Sequence, residues 1–272
     1  MTYNYLIAGL SDLKLEGAAP QMDELLELLN EQLKDKDRQL LNILRMRYDN
    51  ENLLKMIDNK DAQLNPLGTL SRQDWMDLFL LMDETEHPRD HRLQPYVLTF
   101  YRQVVTEETT HGILREDLLS TLYYDFARNK KNTFLAAWFT FCLNLNNMLA
   151  AHACRRYGWD IKSAIIGNNE VAELLRSQTG REVRLTDEFE EADAVASVAE
   201  EPNLLTREHR IDQLKWQWLE DHTEYRVFDI DRVLAYWLQC EIIHRWDGLD
   251  VENGRQLFRS MLNDMKRDVK FE

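Results

Sequence analysis

Arg45-Met46-Arg47-Tyr48-Asp49-Asn50-Glu51-Asn52-Leu53-Leu54-Lys55-Met56-Ile57 reads as an amphipathic helix interrupted by a polar core of Asp49, Asn50 and Asn52. An echo of it recurs twice. Phe141-Cys142-Leu143-Asn144-Leu145-Asn146-Asn147-Met148-Leu149 places Asn144 ninety-five positions after Asp49. Trp237-Leu238-Gln239-Cys240-Glu241-Ile242-Ile243-His244-Arg245-Trp246 places Glu241 ninety-seven beyond Asn144. Each copy sets polar groups at i and i+3 on one helix face among apolar neighbours: Asp49 with Asn52, Asn144 with Asn147, Glu241 with His244. The near-constant period predicts three related helical lobes.

The composition around these stretches agrees with helices. With 272 residues, 44% of them apolar, and seven Trp, the chain can build a sizeable core. Only nine Gly and five Pro interrupt a sequence rich in Leu, Glu, Asp, Lys and Arg, which favours helix over sheet. An almost wholly helical protein is expected.

A formal net charge of −15 repels phosphate backbones and anionic lipid, and no basic patch offsets it. The expected partner is therefore protein, not nucleic acid or a membrane surface. Cys142, Cys154 and Cys240 fall inside predicted helices without a CxxC pair, which suggests reduced, buried thiols in a cytoplasmic protein. No basic segment followed by an apolar run opens the chain, and no stretch approaches eighteen consecutive apolar residues. The expectation is a chain neither secreted nor membrane-spanning.

In chain order, Tyr3, Tyr5 and Ile7 open a short extended segment or a first helical turn that breaks at Gly9. Asp23 can cap a helix with Leu25, Leu26, Leu28, Leu29 and Leu33, and a second helix carries Leu40, Leu41, Ile43 and Leu44 into the organising stretch, the pair forming an αα-hairpin. Asn65-Pro66 and Gly68 end that unit, and Ser71-Arg72-Gln73-Asp74 resembles a capping box before Trp75, Leu78, Phe79 and Met82. Pro95 suits the first turn of a helix that Gly112 ends, followed by a helix over 113–129. The longest apolar helix, Phe134 to Tyr157, stops at Gly158, and a shorter one spans 163–176. Acidic residues among Ala and Ser over 186–202 read as a solvated connection. Helices at about 207–221, 230–246 and 251–268 follow, with Leu257 and Met261 on the inner face of the last. The expected organisation is one domain over 1–272 with lobes at about 1–92, 93–185 and 203–272.

Chemical motifs are sparse: there is no Gly-rich phosphate loop, no GxSxG elbow and no HExxH. Two Glu-x-x-His elements, Glu108 to His111 and Glu241 to His244, have the spacing that di-metal carboxylate bundles use. Against them, Glu108 and His111 lie in a Thr-rich stretch beside a helix end, where a continuous buried helix is needed. His87 and His91 are separated by Pro88, which breaks the helix that would align them, so a solvated loop is expected. The Asp49/Asn52 and Asn144/Asn147 pairs are either a polar surface for a partner or structural groups capping a helix or joining packed helices. The structural reading is favoured, and the aromatic clusters are read as core.

The same residues carry a family resemblance. Tyr48-Asp49-Asn50-Glu51-Asn52-Leu53-Leu54 resembles the D-x-x-N-L helix element of the C-subunit family of V-type and A-type ATPases, whose vacuolar member is the d-subunit. Val233 to Arg245 is similar to that family's late helix, in which an aromatic (here Tyr236) precedes an acidic residue (Glu241) and then an Asn (His244). Tyr3 to Leu10 resembles a shorter bacterial branch found in V-type ATPase operons. Asn144 stands where an acidic residue is usual, His244 where Asn is, and the chain is shorter than typical members.

The resemblance implies an all-α, funnel-like bundle of three pseudo-repeated lobes and a non-catalytic, cofactor-free role. Such a protein sits on the cytoplasmic face of the membrane proteolipid ring, receives the central stalk, and meets the membrane only through protein partners. Tyr48, Asp49, Asn52, Asn144, Asn147, Tyr236, Glu241 and His244 are the structural or interface candidates. Arg155, Arg156, Arg245 and Arg255 are basic candidates that the sequence alone does not sort into surface and interior. A di-metal enzyme using Glu108, His111, Glu241 and His244, and a generic helical scaffold, are the rival readings.

Overall fold

A computed structural model describes residues 3–106, 114–177, 185 and 187–247. Within them the fold is an all-helical bundle of twelve α-helices with no strand. The expected helix over 251–268, with Leu257 and Met261, lies outside the described residues, as does Gly112.

The chain divides into two compact units, one of Leu33–Leu214 and one of Met1–Gln32 with Lys215–Glu272. The expected first lobe, 1–92, is thus shared between them, and the boundary falls between the two helices expected to form an αα-hairpin.

In the Leu33–Leu214 unit, α3 (Asp35–Asp58) carries the organising stretch and α4 (Arg72–Glu84) follows it. Ser71 caps α4 by the expected capping box: its side chain accepts from the Asp74 N–H, and the Asp74 carboxylate accepts from the Ser71 N–H. Pro95 opens α5 (Pro95–Tyr101), which passes directly into a π-helical turn, Arg102–Thr106. Helices α6 (Arg115–Arg128) and α7 (Thr133–Tyr157) pack on each other, and α7 ends at Gly158 in the left-handed conformation, φ 71°.

Helix α7 is the centre of this unit, touching α6, α8 (Ile161–Ala164), α9 (Glu170–Ser177) and α10 (Ala192–Ala199). It is apolar and long enough to cross a membrane by length and composition, and 61% of its most apolar window is buried inside the fold. Tyr123, on α6, joins the two sides of the core. Its ring meets Phe139 edge-on at 5.2 Å, and its hydroxyl donates to the Ile43 carbonyl at 2.7 Å.

Two expectations here are corrected. The helix expected over 163–176 is two helices, α8 and α9, because Gly167 takes φ 75° between them. The acidic stretch 186–202 is not simply a solvated connection: α10 buries Ala192, Val195 and Val198 and docks on α7. The acids hid an i, i+3, i+6 apolar stripe.

The other unit contains α1 (Asn4–Gly9), α2 (Met22–Gln32), the end of α11 (Leu204–Thr223) and α12 (Ile230–Asp247). The opening segment is thus a helix; the Tyr3 N–H before it donates to the Phe228 carbonyl at 2.7 Å. Every residue of α12 from Val233 to Ile243 is buried, so this helix is enclosed on all sides. Each large apolar side chain so enclosed is worth about 1.5–3 kcal/mol relative to exposure.

Candidate functional site

On α3, the Asn52 amide grips the backbone of Asn65, thirteen residues on: Nδ2 donates to the Asn65 carbonyl at 3.0 Å, and the Asn65 N–H donates to Oδ1 at 2.7 Å. One turn earlier, Asp49 Oδ1 accepts from the Thr69 and Leu70 N–H groups at 2.8 and 3.1 Å, and Oδ2 accepts from the Thr69 hydroxyl at 2.6 Å. One turn before that, Arg45 donates to the carbonyls of Leu67 and Gly68. Three side chains at successive turns of one helix face therefore hold the segment 65–70 that leads into α4.

The electrostatics of this clamp are those of a buried site. Asp49 is 3% exposed, and burial raises its carboxyl above the usual value against the lowering effect of its hydrogen bonds and of Arg45. Burial likewise lowers the Arg45 guanidinium, opposed by Asp49. Tyr48 is buried with the Arg47 guanidinium 5.1 Å from its ring centre. Asn50 accepts from the Tyr96 hydroxyl at 2.7 Å.

The second copy repeats the design on α7. Asn147 Nδ2 donates to the Ile166 carbonyl at 2.8 Å, and the Ile166 N–H donates to Asn147 Oδ1 at 3.0 Å. Asn144 Oδ1 accepts from Asn169 Nδ2 at 2.6 Å. An arginine again gathers loop carbonyls: Arg176, on α9, donates to Ile165 and Gly167. The clamped segment, 165–169, leads into α9.

In the third copy, on α12, the ring nitrogen Nε2 of His244 donates to the Pro20 carbonyl at 2.8 Å, and Nδ1 faces the Asp247 carboxylate. Pro20 precedes α2. Glu241 turns along its own helix and accepts from the indole N–H of Trp237 at 2.9 Å. The Tyr236 hydroxyl pairs with Ser11 at 3.0 Å, and burial raises its pKa. Proline offers a carbonyl but no N–H, so a donor alone completes this contact, whereas the amides of Asn52 and Asn147 match residues that offer both.

The structure thus brings Asp49 with Asn52, and Asn144 with Asn147, to separate helix-to-loop clamps inside the Leu33–Leu214 unit. Tyr236, Glu241 and His244 lie in the other unit. Sequence reasoning missed Arg45, Arg176, Asn65 and Asn169. The available signal was the glycine downstream of each pair, Gly68 and Gly167, each packed against its clamping helix.

Glu108 and His111 lie outside the described residues, and Glu241 and His244 are engaged as above. Among the described residues no three His, Cys, Asp or Glu side chains gather as a metal site. His87 and His91 sit on the exposed polar loop before α5, where Arg92 bonds Asp90 and holds its carboxyl down to about 2. The three cysteines are buried and form no disulfide among the described residues, with burial pushing Cys240 up to about 12. Of the basic candidates, Arg156 and Arg245 are exposed, Arg155 is half-buried, and Arg255 lies outside the described residues.

A family model described as a protein of unknown function (DUF2764) matches residues 1–269, and the chain belongs to that family. No curated protein and no solved structure matches it.

Proposed function

We propose that this member of the DUF2764 family is a non-catalytic central-stalk adaptor of a bacterial V/A-type ATPase, linking the rotor stalk to the membrane proteolipid ring. The observation that carries the reading is the recurrence of one device at a near-constant period. Helices α3, α7 and α12 each use the polar group three residues after the first to hold the backbone of a segment entering another helix. The first and third of these helices are also the ones whose sequence resembles the ATPase family.

In this reading the three clamped helices mark three pseudo-repeated lobes of a funnel that receives the foot of a stalk. A rotor adaptor transmits torque, so its inter-helix segments must not yield before its helices do. Buried amides that bond a loop backbone in both directions resist such yielding, because breaking them strands polar groups away from water. The net charge of −15 favours basic stalk or ring surfaces and disfavours direct contact with anionic lipid. The protein then works on the cytoplasmic face, peripheral to the membrane.

The test is co-purification of the tagged full chain from gently solubilised membranes of its own source. Proteolipid and stalk subunits recovered in fixed proportion are the expected result. Recovery of the chain alone in the soluble fraction overturns the rotor role.

A further inference from the structure

A cavity of about 180 Å³ opens between the carboxy-terminal half of α7 and the first turns of α11, all within the Leu33–Leu214 unit. Its polar lining is His152, Arg156 and Tyr157 from α7, with Arg207 and Glu208 from α11. His152 and Arg156 are one turn apart on the same helix face. Arg207 approaches from the other helix.

The chain carries 48 acidic residues against 33 Lys and Arg, and several of its cations pair with carboxylates. Arg210, close by, does so with Glu201 and also bonds Ser197. The side chains of Arg156 and Arg207 form no hydrogen bond or ion pair among the described residues, although both line the same cavity. Two like charges lining one cavity disfavour each other, the Glu208 carboxylate in the same wall offsets them only in part, and an anion between them reverses the sign of that contribution.

The shape of the site narrows the ligand. Guanidinium forks match the oxygens of phosphate or carboxylate, and His and Tyr add further donors. A volume well above that of a single water suits a phosphate group with a small substituent. It falls short of the roughly 300–1,000 Å³ of pockets for larger organic ligands.

We propose that this cavity is a binding site for a phosphate group, free, on a small phosphomonoester or on a lipid headgroup, with Arg156 and Arg207 as its cationic arms. His152 reports on it. Burial and then Arg155 hold its imidazole below the ordinary value, Arg156 adds to that effect and Glu200 opposes it, while Glu208 stands in the cavity wall. A bound dianion raises the His152 pKa by stabilising the imidazolium.

The experiment is calorimetric titration of the full chain with inorganic phosphate, beside flotation with vesicles containing phosphatidic acid. Saturable phosphate binding that Arg156→Ala or Arg207→Ala weakens roughly tenfold or more is the expected result and assigns a soluble phosphate. Neither substitution removes a side-chain hydrogen bond or ion pair found among the described residues, so thermal melting should change little, and Arg156→Lys should restore part of the binding. Vesicle binding alone, lost in the same variants, assigns the headgroup. The proposal is overturned if neither probe binds saturably at millimolar phosphate, or if the Arg156→Ala/Arg207→Ala double variant binds as the parent does. It is also overturned if phosphate binds without raising the His152 pKa in an NMR titration.

Discussion

Gly68 packs so closely against Asp49 that a methyl group added to it would stand 2.7 Å from the carboxylate Oδ1 and 2.8 Å from Asn52 Nδ2. Both atoms are already fixed by bonds to the segment that contains the glycine, so neither can swing away without releasing it.

Gly68→Ala is therefore expected to destabilise by about 2–4 kcal/mol, the scale of overpacking together with lost buried hydrogen bonds. Gly167→Ala should cost a similar amount for a different reason, since φ 75° disfavours a side chain and Leu143 Cδ2 would lie 2.9 Å away. Gly9→Ala, with nothing within 4 Å, is the control and should be neutral. Urea midpoints of the three variants check this; a Gly68 variant as stable as the Gly9 variant contradicts it.

Asn52→Ala and Asn147→Ala each remove a two-way bond and leave a half-buried backbone N–H and carbonyl, of Asn65 and Ile166 respectively, without that partner. A loss of about 2–4 kcal/mol is expected for each. Asn147→Asp keeps the volume but turns a carboxylate oxygen toward the Ile166 carbonyl, so it should not rescue. The check is a fall in urea midpoint with an unchanged slope.

What the sequence made legible follows from which groups carry side-chain signatures. Apolar periodicity, the Ser71 to Asp74 capping box, Pro95 and Gly158 locate α4 to α7 closely, because each is a local rule acting within a turn or two. The polar pairs were visible by their spacing, but their roles depend on segments 65–70 and 165–169, whose folding against α3 and α7 is tertiary. Arg45 and Arg176 were illegible because their partners are backbone carbonyls, which every residue possesses. Helix α10 was obscured because its apolar stripe is short and set among acidic neighbours.

His244→Asn gives the third copy the residue that the resembling family prefers. Its Nδ2 can still donate toward the Pro20 carbonyl, but Oδ1 finds no N–H on proline. The variant should therefore lie between the parent and His244→Ala, which strands the carbonyl altogether and should cost about 1–3 kcal/mol. Thermal melting of the three proteins orders them; equal stability of the Asn and Ala variants removes the donor role assigned to Nε2.

Asp49 gives the fold a pH dependence of predictable sign. Its folded pKa is raised, chiefly by burial, so between the unfolded value, near 3.8, and the folded value the native state holds more protons than the unfolded chain. Its contribution is fully present below the unfolded value and is lost as pH rises through the folded one. Asp74 and Asp90, whose pKa values are lowered by hydrogen bonds from Ser71 and Arg92 respectively, act in the opposite direction and lose their contribution as pH falls. Asp49→Asn isolates the term: Oδ1 can still accept from Thr69 and Leu70, and the Thr69 hydroxyl can turn to accept from the new amide. The stability of the parent minus that of Asp49→Asn should fall as pH is raised from about 4 toward neutrality. A difference that grows with pH across the same range would mean that the carboxylate is stabilised by its hydrogen bonds more than it is penalised by burial.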